Sequence, residues 1–168
     1  MRGHGKGSEF ERKIAKEIIK AYKKAGWKHL TQNDCWRSVL SGGHDMSVGD
    51  LRMSGEMMRL FPFAVECKHR KKIHIENFFF AKMTEEKRWL RQATNGAEKV
   101  ENMTAVIVMR SNFREILALV GPLSEVHDCG AELYFPEFEG PWKLMPWHKF
   151  LKLAIKNAKN LRKLRIGE

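Results

Sequence analysis

The stretch GDLRMSGEMMRLFPFAVECKHRKK, residues 49–72, decides how the chain is read. Its second half opens with the apolar run Leu60, Phe61, Phe63, Ala64 and Val65 and ends on Glu66-Cys67-Lys68. Short apolar runs bounded by a Ser-Gly turn signal predict a β-hairpin. The first strand is expected to start near Val48, the turn to lie at Ser54-Gly55 and the second strand to run over about Leu60–His69. Pro62 predicts an edge or a bulge at the start of that second strand, because proline has no N–H to give to a ladder. Side chains alternate along a strand, so Glu66 and Lys68 share one side while Val65 and Cys67 face the other, toward a core. Asp50 begins the first strand, and the pairing brings its carboxylate beside Glu66.

Two carboxylates held together repel unless a cation lies between them. Hard oxygen donors suit Mg²⁺, with Mn²⁺ as the alternative; such an ion keeps waters and takes one or two carboxylates plus substrate phosphate. Lys68 would then lie beside the metal and a scissile phosphate, where it orients the attacking water or offsets developing charge. The set suits hydrolysis of a phosphodiester. The plainer reading of Glu66 and Lys68 is an exposed ion pair contributing ~0.2–1 kcal/mol. Against it, the apolar run places the acid at the end of a buried strand, where an unpaired charge is costly.

The whole chain sets the context. Its 168 residues and 19.6 kDa correspond to a single domain. With 43% apolar and 30% charged residues it can fill one core, which excludes a mostly disordered chain. No apolar run reaches the ~18 residues of a membrane span, so no membrane partner is expected. The basic start MRGHGKGSEFERK lacks the apolar stretch of a signal peptide. Three cysteines, Cys35, Cys67 and Cys129, argue for a reducing compartment rather than a disulfide framework. The 31 Lys and Arg against 20 Asp and Glu give a net charge of +11 and a pI of about 9.7, the balance of a chain that meets a polyanion.

Residues 1–7 read as a flexible basic arm. From Ser8, Phe10, Ile14, Ile18, Ala21 and Ala25 recur at helical spacing, with Ser8 as N-cap, Glu11 completing a capping box and Gly26 ending the run. A short strand is expected near 27–31. Residues 71–83 (KKIHIENFFFAKM) give no clear pattern. Thr84 caps a helix that should break near Asn95-Gly96. Residues 104–110 (TAVIVMR) read as a buried strand, and FREILALVG fits either a helix or, the favoured reading, a strand paired to it through Ser111-Asn112. Glu132–Phe135 is a further strand. Pro146 opens a final helix to about residue 163, in which Lys149, Lys152, Lys156, Lys159, Arg162, Lys163 and Arg165 face a single acid, Glu168, between 149 and 168. That helix is either a solvated surface packed on the core or a surface that tracks phosphates or lies on a membrane.

Four segments, GSEFERKIAKEI (7–18), SGG (41–43), GD (49–50) and VECKHR (65–70), together resemble the PD-(D/E)xK nuclease superfamily. Within it they are most similar to archaeal-type Holliday junction resolvases and their phage relatives, over roughly residues 6–110. The resemblance implies an α/β, restriction-endonuclease-like core: a mixed central sheet of about five strands flanked by helices, with 8–110 as nuclease core and 111–168 as a C-terminal extension in one domain. It implies an active site of Glu11, Asp50, Glu66 and Lys68, with metal held by Asp50, Glu66, Glu11 and the Cys67 carbonyl. It also implies Ser41 near the junction and Gln92 presented from a following helix. Gly49 stands where the family usually has proline. A four-way DNA junction as substrate, a homodimer, and the cytoplasm of a prokaryotic or phage-infected cell follow from the same resemblance. Glu11 keeps two readings, since the capping box alone accounts for it at ~0.5–2 kcal/mol of helix stability.

Cations flanking these motifs, namely Arg2, Lys6, Arg12, Arg37, His44, Arg70, Lys71 and Lys72, are the expected phosphate contacts. The exposed apolar content around Phe78–Phe80 is the expected dimer patch. Other chemistries fit poorly. His127 and Cys129 lack a second ligand pair for zinc, Ser41, His44 and Asp45 are a trio only along the chain, and no P-loop is present, so no nucleotide cofactor is expected. A same-fold nuclease acting on duplex, flap or single-stranded DNA, and a non-catalytic basic module using 149–168, are the competing readings.

Overall fold

The computed structural model describes residues 4–38, 48–79, 82–122, 130–135, 138, 140 and 141–166. The chain forms α1 (His4–Lys24), β1 (Cys35–Arg37), β2 (Leu51–Met53), α2 (Gly55–Leu60), β3 (Phe63–Arg70), a 3₁₀ turn (Ile75–Phe79), α3 (Glu85–Glu98), β4 (Thr104–Ser111), β5 (Leu117–Val120), β6 (Ala131–Tyr134), β7 (Pro141–Pro146) and α4 (Trp147–Ile166). Five strands make one mixed sheet in the order β3-β4-β5-β7-β6. β3 and β4 pair in parallel, and the remaining pairs are antiparallel. Strands β1 and β2 form a separate two-stranded ribbon. This is the expected mixed α/β architecture, a five-stranded sheet flanked by helices.

The alternation of β3 and β4 builds two cores. Phe63, Val65, Cys67, Val106 and Val108 face α1 and α4, where Ile14, Ile18, Tyr22, Phe150 and Ala154 are buried. Ala64, Ala105, Ile107 and Met109 face the other side, against Trp89, Leu90, Ala93 and Ala97 of α3. Both strands thus bury apolar side chains on their two faces, which explains why residues 104–110 read as a continuous apolar run rather than an alternating one.

Several expectations change. The helix expected to start at Ser8 begins at His4 instead. Ser8 lies inside it, its hydroxyl donating to the Gly5 carbonyl at 3.1 Å, so the Ser8–Glu11 capping box is not formed. Residues 4–7 of the expected flexible arm are therefore helical. The strand expected at 27–31 lies at Cys35–Arg37.

The expected hairpin is not a hairpin. Ser54 caps a helix, accepting from the Met57 N–H, so Gly55–Leu60 forms α2 where a turn was anticipated. β2 pairs with β1, and β3 pairs with β4 as an edge strand, as Pro62 indicated. α3 runs unbroken through Asn95-Gly96. Gly96 packs beside Gly49, where a Cβ would make an ordinary contact 3.4 Å from the Gly49 nitrogen. Phe78 is buried in the second core at 1% exposure and is not part of a surface patch. Phe79 is half-exposed with its ring 5.3 Å from that of Phe135, and Phe80 lies outside the described residues. Among the described residues no helix is long and apolar enough to cross a membrane.

Candidate active site

The site forms at the free edge of β3. The Asp50 N–H donates to the Val65 carbonyl and the Cys67 N–H donates to Asp50 Oδ2, both at 2.8 Å. These two bonds fasten the Asp50 loop along the unpaired edge, so Asp50 reaches the strand without being its ladder partner. A residue's N–H and C=O leave a strand on the same side, so the Cys67 carbonyl is aimed toward Asp50 as well.

Glu66 and Lys68 project from the α3 face of the same strand. Lys68 Nζ donates to Glu66 Oε1 at 2.5 Å and to Gln92 Oε1 of α3 at 3.0 Å. Asp50, Glu66 and Lys68 are 7%, 2% and 9% exposed, so this is a buried ionic cluster rather than the exposed pair that the plainer reading required. Gln92 comes from the turn of α3 that crosses β3, which fixes the ammonium between two oxygens.

From the opposite face, α1 supplies Glu11. Its Oε2 accepts from Arg37 Nε of β1 at 2.5 Å. Glu11, Asp50, Glu66, Lys68, Gln92 and the Cys67 backbone are thus brought to one edge. Ser41 lies outside the described residues.

The electrostatics follow from this crowding. The Glu66 carboxyl is pushed up to about 7, first by burial and next by the Asp50 charge, with Lys68 acting against both. Glu11 is also raised, mainly by burial, with its Arg37 hydrogen bond opposing and Asp50 adding. Burial raises the Cys67 thiol well above its ordinary range, which leaves it an inert core group.

Glu66 is therefore a carboxylate short of positive charge. In the metal-free protein it titrates near 7 when folded and near 4.5 when unfolded, so the native state holds the extra proton between these values. Stability from this group falls as pH rises from about 4.5 through 7 and is flat above. We expect the metal-free melting midpoint to fall across that window and the fall to shrink in Glu66→Gln. Equal slopes in the two proteins, measured by scanning calorimetry in chelator, would remove Glu66 as its source.

The donors suit a small hard cation. Among the described residues no group of three or more His, Cys, Asp and Glu side chains is arranged around a common point. The set is two adjoining buried carboxylates plus a backbone carbonyl, the number an ion takes when it keeps waters and awaits substrate oxygens.

The expected phosphate contacts divide. Lys6, Arg12, Lys71 and Lys72 are exposed. Arg37 is turned inward to Glu11, which sequence alone could not reveal across 26 residues of separation. Arg70 pairs with Glu85 at 2.7 Å and lies over the Trp89 ring at 5.5 Å. Arg2 and His44 lie outside the described residues. Sequence reasoning also missed Ser38, a fully buried hydroxyl with no hydrogen-bond partner among the described residues, whose N–H donates to the Asp50 carbonyl at 2.8 Å. No spacing rule points to it, because its position follows from the β1–β2 ribbon.

No curated protein and no solved structure matches the chain. A family model described as "Phage putative PDDEXK endonuclease" matches residues 2–126. That span begins before α1, ends after β5 and takes in Glu11, Asp50, the Glu66-Cys67-Lys68 run and Gln92. The chain accordingly belongs to this phage PDDEXK endonuclease family, within the PD-(D/E)xK nuclease superfamily.

Proposed function

We propose that the chain is a divalent-metal-dependent, structure-selective DNA endonuclease that cuts four-way junctions as a homodimer in the cytoplasm of the phage-infected cell. The observation that carries this reading is the buried Asp50–Glu66 pair with Lys68 held beside it. Asp50, Glu66 and the Cys67 carbonyl would hold Mg²⁺ or Mn²⁺, with Glu11 supporting the surrounding water. A bound divalent ion supplies Lewis-acid polarisation of phosphate and activation of water.

The protein's own groups do the rest. Gln92 and Glu66 fix the Lys68 ammonium, so its charge is already placed when the phosphorane-like transition state gathers negative charge. Arg37 holds Glu11 in one rotamer on the α1 side. Among the described residues no further strand pairs with the edge of β3, along which the Asp50 loop lies. The dimer follows from the proposed junction substrate, since symmetric cutting of a junction needs two sites presented alike.

Labelled four-way junction and matched linear duplex, incubated with and without Mg²⁺, test the reading. Paired nicks confined to the junction and dependent on Mg²⁺ are the expected result. Equal cutting of linear DNA would replace the junction substrate with ordinary duplex. No cutting of any DNA with any divalent ion would leave a basic binding module.

A further inference from the structure

The cleavage site does not use α4, and the family match ends at residue 126, before this helix begins. Yet α4 is firmly docked. Trp147, Phe150, Leu151, Ala154 and Ala158 are buried in the first core, the Phe150 ring lies 4.9 Å from that of Phe63, and Trp147 Nε1 donates to Glu17 of α1 at 2.9 Å. The lysines and arginines this docking leaves outside are not balanced by any acid on the helix. Lys149, Lys152, Lys156, Lys159, Arg162 and Lys163 are all exposed, and the helix contains no acid. Among the described residues none of the six has a carboxylate in ion-pair range, although exposed carboxylates elsewhere do pair, as Glu85 does with Arg70.

Spacing makes this a track rather than a scatter. Lys152, Lys156, Lys159 and Lys163 follow one another at four, three and four residues, so they lie on one stripe. At 1.5 Å per residue the stripe is about 16 Å long. Its position relative to the site is set by the sheet. Phe63, which Phe150 covers, precedes Lys68 by five residues on β3, about 16 Å along the strand. The helix then continues for 13 residues from Phe150 to Lys163, about 20 Å. Measured along strand and helix, the far end of the stripe is therefore about 36 Å from Lys68 before the helix-to-sheet spacing is added, the scale of one turn of duplex at about 3.4 Å of rise per pair.

We propose that the outward face of α4 is a second nucleic-acid surface, which binds the phosphates of a duplex arm beyond the scissile position. This rests on the nuclease reading for the identity of the polyanion. A helix that only coated the core would not need an unbroken run of one sign, which carries self-repulsion without compensating pairs. An anionic membrane is the rival partner. The described outer face of α4 offers it one large apolar group, Leu161, where a membrane-lying helix needs an apolar face of its own.

The test is fluorescence anisotropy with a labelled linear duplex in chelator, across a range of salt. Lys152→Gln/Lys156→Gln/Lys159→Gln is compared with wild type and with the charge-keeping Lys152→Arg/Lys156→Arg/Lys159→Arg. Removing each phosphate-binding cation should make the slope of log affinity against log salt shallower by about 0.9, so about 2.7 for the three. We expect at least a tenfold weaker affinity at low salt for the Gln variant, recovery in the Arg variant, and unchanged melting of both. Wild-type affinity and slope in the folded Gln variant would overturn the proposal. So would loss of binding to phosphatidylserine vesicles with DNA affinity intact. The nuclease reading is tested separately, by Mg²⁺-dependent nicking of saturated DNA at low salt, which the Gln variant should retain; nicking with no change in the duplex slope condemns the α4 surface alone.

Discussion

Lys68→Ala is expected to lower cleavage by about 10²–10³-fold while leaving DNA affinity near wild type. The size follows from placement. The ammonium is held at 2.5 Å from Glu66 and 3.0 Å from Gln92, so it is oriented before substrate arrives and needs no reorganisation during reaction. Its 9% exposure makes it a poor contributor to long-range attraction of DNA, which the exposed cations dominate. The variant should remain folded, because Glu66 already titrates near 7 and can take up a proton when its partner is gone. Single-turnover cleavage together with binding in chelator separates the two effects. Undiminished turnover would remove Lys68 from the chemistry, and an equal loss of affinity would make it a binding residue instead.

Gly49→Ala, a change of one methyl group, should be strongly damaging. Gly49 has φ +89°, and a Cβ there would lie 2.5 Å from the Val65 carbonyl oxygen. That same oxygen accepts the Asp50 N–H, the bond that fastens Asp50 to the edge of β3. Backbone must therefore move, and it moves the Asp50 carboxylate with it. Left-handed strain alone costs on the order of 1–3 kcal/mol, and the clash with backbone adds to it. A loss of about 3 kcal/mol corresponds to a fall of about 6–12 °C in melting midpoint for a chain of this size. We expect that fall, with cleavage lost even at temperatures where the variant is folded. A melting midpoint within a degree of wild type would contradict the described packing of Gly49 on Val65.

How far the fold was legible depended on the length and chemistry of each element. β4 was clear because an apolar, β-branched run buried on both faces has few other uses, and β3 because its apolar start Phe63-Ala64-Val65 leads straight into the alternating Glu66-Cys67-Lys68. β1 was lost in a polar segment because three residues, Cys35–Arg37, are too few to show a period. α2 was mistaken for a turn because Ser54-Gly55 signals a turn and a helix N-cap equally well. β7 was passed over because Pro141 and Pro146 bound it, and prolines at strand ends look the same in sequence as prolines in loops. The site was more legible than the route to it. Alternation placed Glu66 and Lys68 together correctly, yet Asp50 joins them through a ribbon paired elsewhere and a loop laid along the edge, not through a hairpin. The Glu11–Arg37 pair was unreadable, since it depends on α1 packing on β1.

The central claim is that Asp50 and Glu66 together hold one divalent ion against DNA. Mn²⁺ titrated into the Lys68→Ala protein with bound, uncut DNA, followed by loss of the free-ion electron paramagnetic resonance signal, tests it most directly. The account predicts saturable uptake that disappears when Asp50→Asn and Glu66→Gln are added to the Lys68→Ala background. Undiminished uptake by that triple variant would contradict it.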